Sequence, residues 1–253
     1  MAGHSKWAQI KHQKAVTDVR RGQLFTKLTR EIIQAVRQGG GPNPDANYRL
    51  RLAVQKAKDS NMPMENIERA IKRAAGVGVE GETLEEVTYE GYGPGGVAVM
   101  LQAITTNRNR TAGEVRSTFS RHGGTLGEAG CVAWNFEARG LITVSVDPAR
   151  AEEVALMAID AGAEDVKVDG GSIEVYTAPE RVEDVRRQLE EQEVPVDSAE
   201  VTMFPKTTLA LSPEDAQRTL RLLDALEALD DIQKVYSNAE FPDEVLEQYG
   251  KAS

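Results

Sequence analysis

The chain has 253 residues, of which 40% are hydrophobic and 28% charged, with a formal net charge of -10. That length suggests two or three domains rather than one small one, and the apolar share excludes a wholly disordered chain. The single cysteine, Cys131, excludes an internal disulfide or a thiolate zinc cluster, so a cytoplasmic location is expected.

Residues 1 to 75 carry fifteen Lys and Arg against six Asp and Glu, a net +9, which leaves -19 for the rest. Such asymmetry points to a basic module that meets a polyanion and an acidic body that faces water. The N-terminal stretch has basic residues but no apolar run behind them. The longest aliphatic run, VAVML at 97 to 101, is far short of the roughly 20 residues of a membrane helix, so neither a secretory signal nor a membrane partner is expected.

In chain order, residues 4 to 22 form a basic arm with few apolar anchors. Leu24, Leu28, Ile32 and Val36 then recur every four residues, predicting an amphipathic helix that ends at Gly39-Gly40-Gly41-Pro42. Lys27, Arg30, Gln34 and Arg37 fall on a face this stripe leaves free. A second helix is expected over about Asp45 to Lys58, with Leu50, Ala53, Val54 and Ala57 inward, and a third from near Pro63 to Ala74. Three short helices of this kind satisfy one another as a bundle.

Beyond residue 80 the period becomes strand-like, most clearly in GVAVMLQAITT at 96 to 106. Thr111 to Glu114 has capping-box spacing and is expected to open a helix closed by Gly123-Gly124. VAWNFE at 132 to 137 reads as a strand. Then LITVSV, a helix from Pro148 to Ala161, AEDVKVD, SIEVYT, a helix after Pro179 and a strand near 198 to 204 give the order βαββαβ of a ferredoxin-like unit. A further helix after Ser212 and a strand around DIQKVYSN exceed that unit. They are candidates to pair with the strands of 80 to 136, which would make the βαββαβ unit an insertion.

The expected fold is therefore α+β and multidomain: 1 to 78 as basic arm and three-helix bundle, 79 to 136 with 206 to 240 as a discontinuous α+β domain, 137 to 205 as the inserted ferredoxin-like domain, and 241 to 253 as a C-terminal tail. No catalytic set is found. Gly91 to Gly96 satisfies GxGxxG, but a strand follows it where a dinucleotide site needs a helix, so it reads as a tight turn. His4 and His12 lie on a basic segment that would repel a cation, and Cys131 opening an apolar strand reads as a buried residue, not a nucleophile. Neither a metal, a cofactor nor a small-molecule substrate is expected.

The arm is the main candidate site. Lys6, Lys11, Lys14, Arg20 and Arg21 suit phosphate, and Trp7, His4 and His12 interleave with them, so that Trp7 either stacks on a base or anchors the arm to the bundle. Arg108 and Arg110, beside a helix start, are secondary candidates; pairing with the surplus carboxylates nearby is the favoured reading over anion capture. A small-molecule sensor built on the ferredoxin-like unit has only architectural support.

AGHSKWAQIKHQKA at 2 to 15, RGQLFTKLTREI at 21 to 32, YEGYGPGGVAV at 89 to 99, NRNRT at 107 to 111 and HGGTLGEAGCVAWNF at 122 to 136 closely resemble the YebC/PmpR family. Cys131 stands where a serine or similar small residue is expected. The resemblance implies three domains, the third ferredoxin-like and inserted into the second, and a non-enzymatic regulator of gene expression. Bacterial members are described as regulators that bind promoter DNA. Relatives, including a mitochondrial translational activator, act with the ribosome and relieve stalling at proline-rich stretches, contacting ribosomal RNA or tRNA. Carried to matching positions, the resemblance points to His4, Lys6, Trp7, Lys11, His12, Lys14, Arg20, Arg21, Lys27 and Arg30; Arg37, on the open face of the first helix, joins them as a nucleic-acid candidate from the residue pattern.

Overall fold

The computed structural model describes residues 18 to 76 and 84 to 251, with side chains for 22 to 76 and 84 to 250. Three helices open it, α1 (Asp18–Gln38), α2 (Tyr48–Asp59) and α3 (Met64–Ala74). They share one apolar core in which Leu28, Ile32, Leu50, Ala57 and Ile67 are almost wholly buried. The α1 to α2 corner is fixed by Asn47, whose side-chain amide donates to the Ala35 and Gly41 carbonyls, both at 2.8 Å, while its oxygen accepts the Leu50 N–H. That cap starts α2 at Tyr48, later than the expected Asp45. Gly39 is obligatory here, because a Cβ on it would come within 2.2 Å of the Asn47 oxygen.

Next come β1 (Glu85–Tyr92), β2 (Ala98–Thr105), α4 (Arg108–Arg121) and β3 (Thr125–Leu126). The glycine-rich segment is a hairpin turn, with Tyr92 opposite Ala98 and Gly95 and Gly96 at positive φ. No helix follows it. α4 begins three residues before the expected Thr111 because Asn107 caps it, accepting the Arg110 N–H. VAWNFE is not a single strand: residues 133 to 135 make a 3₁₀ turn, and β4 (Phe136–Ser145) absorbs both its end and LITVSV.

α5 (Ala151–Asp160), β5 (Asp165–Asp169), β6 (Ser172–Thr177), α6 (Val182–Glu191) and β7 (Val196–Pro205) follow. With β4 they form one compact unit, Phe136–Lys206. Its antiparallel sheet has the order β5-β6-β4-β7. Alternation puts Ile142, Val144, Ile173 and Val175 on one face, where they bury against Val154 and Ala158 of α5 and Val185 and Leu189 of α6.

The chain before and after that segment belongs to the other compact unit. β8 (Leu209–Ala210), α7 (Pro213–Glu227), β9 (Ile232–Ser237), β10 (Ala239–Glu240) and α8 (Asp243–Lys251) complete it. β9 pairs with β2, giving the sheet order β3-β1-β2-β9, and β8 pairs with β10. Phe119 of α4 and Leu220, Leu223 and Leu226 of α7 fill the core beneath β2. Residues 241 to 253, expected to be a tail, instead carry α8, and Phe241, Val245 and Leu246 are buried in that same core.

Candidate nucleic-acid interface

His4, Lys6, Trp7, Lys11, His12 and Lys14 lie outside the described residues, and Arg20 and Arg21 are described only as backbone of α1. Of the remaining primary candidates, Arg37 is exposed in the last turn of α1. Lys27 and Arg30 face protein. Lys27 Nζ donates to the Glu227 carbonyl at 2.6 Å, and the Arg30 guanidinium meets the Asp230 carbonyl and, at 3.1 Å, the Asp231 carboxylate. Glu227 is the last residue of α7, so the two cations sit at the negative end of a helix dipole as well as beside an acid. Gln34, expected on the same open face, is buried, and its side-chain oxygen has no hydrogen-bond partner among the described residues.

Asp231 is a meeting point for separate parts of the chain. It is 1% exposed, yet its Oδ2 accepts from Arg110 at 2.6 Å, Thr111 at 2.6 Å and Thr105 at 3.0 Å. Oδ1 faces Arg30 as an ion pair without a well-aligned hydrogen bond. Burial alone would push this carboxyl up, but the bonds from Thr111, Arg110 and Thr105 and the charge of Arg30 outweigh it and hold the group below the ordinary aspartate range. The NRNRT turn thus fixes Asp231 through Arg110, while Arg108 stays exposed, 3.8 Å from Glu85.

The bundle presents further cations to water. Arg49, Arg51, Lys58, Arg69, Lys72 and Arg73 are all exposed. Arg69 pairs with Glu65 and Lys72 with Glu68 along one helix face, whereas Lys58 and Arg73 make no ion pair among the described residues. A shallow groove of about 230 Å³ runs between α1 and α3, floored by Phe25, Met62 and Ala70 and rimmed by Arg69 and Arg73. Phosphate neutralisation needs cations that remain accessible, and Arg37, Lys58 and Arg73 meet that condition better than Lys27 or Arg30.

A second feature escaped sequence reasoning. Glu90 is 6% exposed on β1, and its carboxylate accepts N–H groups from Gly130 at 2.7 Å, Val132 at 2.8 Å and Ala133 at 2.7 Å. Burial would push this group up; the three backbone donors win and hold it below the ordinary glutamate range. The clasped loop displays Trp134, 67% exposed. The glycines at 123, 124, 127 and 130 were the available signal for a shaped loop, but alternating apolar residues in VAWNFE masked it as a strand. Burial and the neighbouring Glu90 charge push the Cys131 thiol up, and His122 turns its ring nitrogen to the Thr118 carbonyl at 2.8 Å, so no thiolate pair forms. Among the described residues, no cluster of His, Cys, Asp and Glu has metal-binding geometry, and no helix is long and apolar enough to cross a membrane.

A three-helix domain joined to β-sheet domains with packed helices, offering an accessible cationic surface, defines an α+β protein. Residues 5 to 77 match the TACO1/YebC protein N-terminal domain and residues 84 to 239 the TACO1/YebC second and third domain, and the chain belongs to that family. A "Probable transcriptional regulatory protein" of Dehalococcoides mccartyi is 57% identical over 249 residues, covering 98% of both chains. One of the same description from Aquifex aeolicus is 53% identical over 251 residues, covering 99% of this chain and 100% of its own. The crystal structure of a conserved hypothetical protein from Aquifex aeolicus superposes with a TM-score of 0.82 at 52% identity, over 90% of this chain and 94% of that one. The family is non-enzymatic.

Proposed function

We propose that this protein is a cytoplasmic, DNA-binding regulator of transcription, in which the basic arm and the exposed cations of the helical bundle hold the phosphate backbone. The observation that carries the reading is the +9 charge of residues 1 to 75 against -19 elsewhere, on a chain whose close relatives are described as probable transcriptional regulatory proteins. In this reading His4, Lys6, Trp7, Lys11, His12, Lys14, Arg20, Arg21 and Arg37 contact nucleic acid, while Lys27 and Arg30 hold the bundle to the segment after α7. The βαββαβ order and the strand order β5-β6-β4-β7 support reading 136 to 206 as a ferredoxin-like domain inserted into the second domain. No small-molecule substrate enters the scheme.

The test is crosslinking of the tagged protein in cells, with recovered DNA and RNA sequenced in parallel and a Lys6→Ala/Lys11→Ala/Lys14→Ala variant as control. Discrete promoter DNA, lost in the variant, is the expected result. Ribosomal RNA with tRNA in its place would overturn the transcriptional assignment and make this a ribosome-associated translation factor. In vitro, losing three phosphate contacts should lower the slope of log affinity against log salt by about 3 on duplex DNA.

A further inference from the structure

Two large aromatic side chains face water on the unit that holds β1 and α4: Trp134 at 67% and Tyr92 at 41% exposure. They are not loose. The Trp134 indole N–H and the Tyr92 hydroxyl both donate to the Cys131 carbonyl, each at 2.9 Å. That carbonyl lies inside the loop clasped by Glu90, whose buried carboxylate binds the N–H groups of Gly130, Val132 and Ala133. Withdrawing a carboxylate from water is costly, and here it immobilises a loop whose largest side chain has little to pack against.

With the polar atom of each ring already engaged, what the pair offers a ligand is its π faces. Two guanidinium groups lie at the turn that leads into the loop. Arg121 is exposed at the end of α4, and the Arg218 guanidinium lies so close to Gly123 that a Cβ there would come within 2.7 Å of it. Gly124, the next residue, packs against the Tyr92 carbonyl and Gly93. Opposing charges are Glu128 within the loop and Asp215, which pairs with Arg218 at 3.6 Å across a partly exposed contact.

We infer that Trp134 and Tyr92 form a preorganised stacking platform for an unpaired base of single-stranded nucleic acid, with Arg121 and Arg218 placed for the adjoining phosphates. The inference rests on the nucleic-acid reading above and adds a contact remote in sequence from the arm. An exposed aromatic next to guanidinium groups suits a base because every base has a π face and every nucleotide a phosphate. Rings fixed in advance lose little freedom on binding.

The experiment uses the full chain and follows binding of a labelled mixed-sequence single strand, as DNA and as RNA, beside the same strand with abasic sites and the duplex. Trp134→Ala should weaken the intact single strand by about 5- to 140-fold, the equivalent of ~1–3 kcal/mol for one stacked base. Trp134→Phe should recover most of that loss, and the abasic strand should bind the native and Trp134→Ala proteins alike. Matching thermal melts for the two proteins establish that folding is intact. Unchanged binding of the intact strand by Trp134→Ala, or an equal loss on the abasic strand, would each overturn the platform and leave the phosphate-binding arm standing. Absence of binding to every strand by the native protein would overturn both.

Discussion

Asp231 and Glu90 are carboxylates removed from water in two regions of the same unit, and they are neutralised by different means. Asp231 lies beyond the end of α7 and is met by side chains from α1, β2 and α4. Glu90 lies on β1 and is met by backbone N–H groups of one loop. The first arrangement fastens distant parts of the chain together and depends on formal charges of opposite sign. The second shapes one segment and needs only donors that any sequence supplies. Removing each acid should therefore damage the protein differently: globally at Asp231, locally at Glu90.

The largest effect is expected for Asp231→Ala, which leaves Arg30 and Arg110 facing each other and removes an acceptor from two buried threonine hydroxyls, which keep each other and the Asn107 backbone as partners. Breaking a buried pair in this way costs about 3–5 kcal/mol, and the lower end applies because the Arg110 side chain is 48% exposed. Urea unfolding measures it. A triple variant that also carries Arg30→Met and Arg110→Met should regain part of the loss, since much of the cost is the uncompensated charge. Equal stability of single and triple variants would show that Asp231 serves the threonines instead.

Glu90→Gln should cost less, about 1–3 kcal/mol, because one acceptor oxygen remains and the other is replaced by a donor facing N–H groups. Its signature is where the damage falls. Hydrogen exchange should accelerate at Gly130, Val132 and Ala133 and stay native in the core around Phe119 and Leu223. Uniform acceleration would place Glu90 with Asp231 as a global fastener.

This division explains how far the sequence could be read. Elements held by their own periodicity were legible: α1 from Leu24, Leu28, Ile32 and Val36, and the β6 strand and α7 helix from equally regular patterns. Errors arose where a partner distant in sequence overrides local pattern. Thr111 has capping-box spacing, but its hydroxyl belongs to Asp231, 120 residues on, and Asn107 caps instead. Lys27, Arg30 and Gln34 share a face that looks free on a helical wheel and is occupied once the segment after α7 is folded against it. Trp134 sits in a strand-like pattern, but Glu90 holds the loop in a turn, and no period in sequence announces a carboxylate 40 or more residues upstream.

Acidification should weaken both fasteners together. Each folded-state carboxyl is held below its unfolded value, about 3.9 for Asp and 4.3 for Glu. In acid the unfolded chain therefore binds more protons than the native one, so the stabilisation is fully present above those values and is lost as pH falls through the lower, folded ones. Unfolding free energy should decline below about pH 4, and less steeply in Asp231→Ala and in Glu90→Gln than in the native chain. An unchanged acid limb in both variants would mean that other carboxylates govern it.

The smallest expected effect lies in the same turn as one of the largest. Arg108 and Arg110 are two residues apart, but among the described residues Arg108 pairs only with Glu85, at 3.8 Å, with both side chains more than half exposed. Such a pair contributes about 0–1 kcal/mol, so Arg108→Ala should leave the urea midpoint almost unmoved while Arg110→Ala lowers it clearly by uncovering Asp231. The contrast bears on function, because a guanidinium already committed to a buried carboxylate is a poor phosphate ligand, and one held by a long solvent-exposed pair can exchange partners readily. If the turn contacts nucleic acid, Arg108→Ala should reduce the salt slope of binding by about 1 with stability intact. A stable Arg108→Ala protein with an unaltered slope would assign the whole turn to architecture.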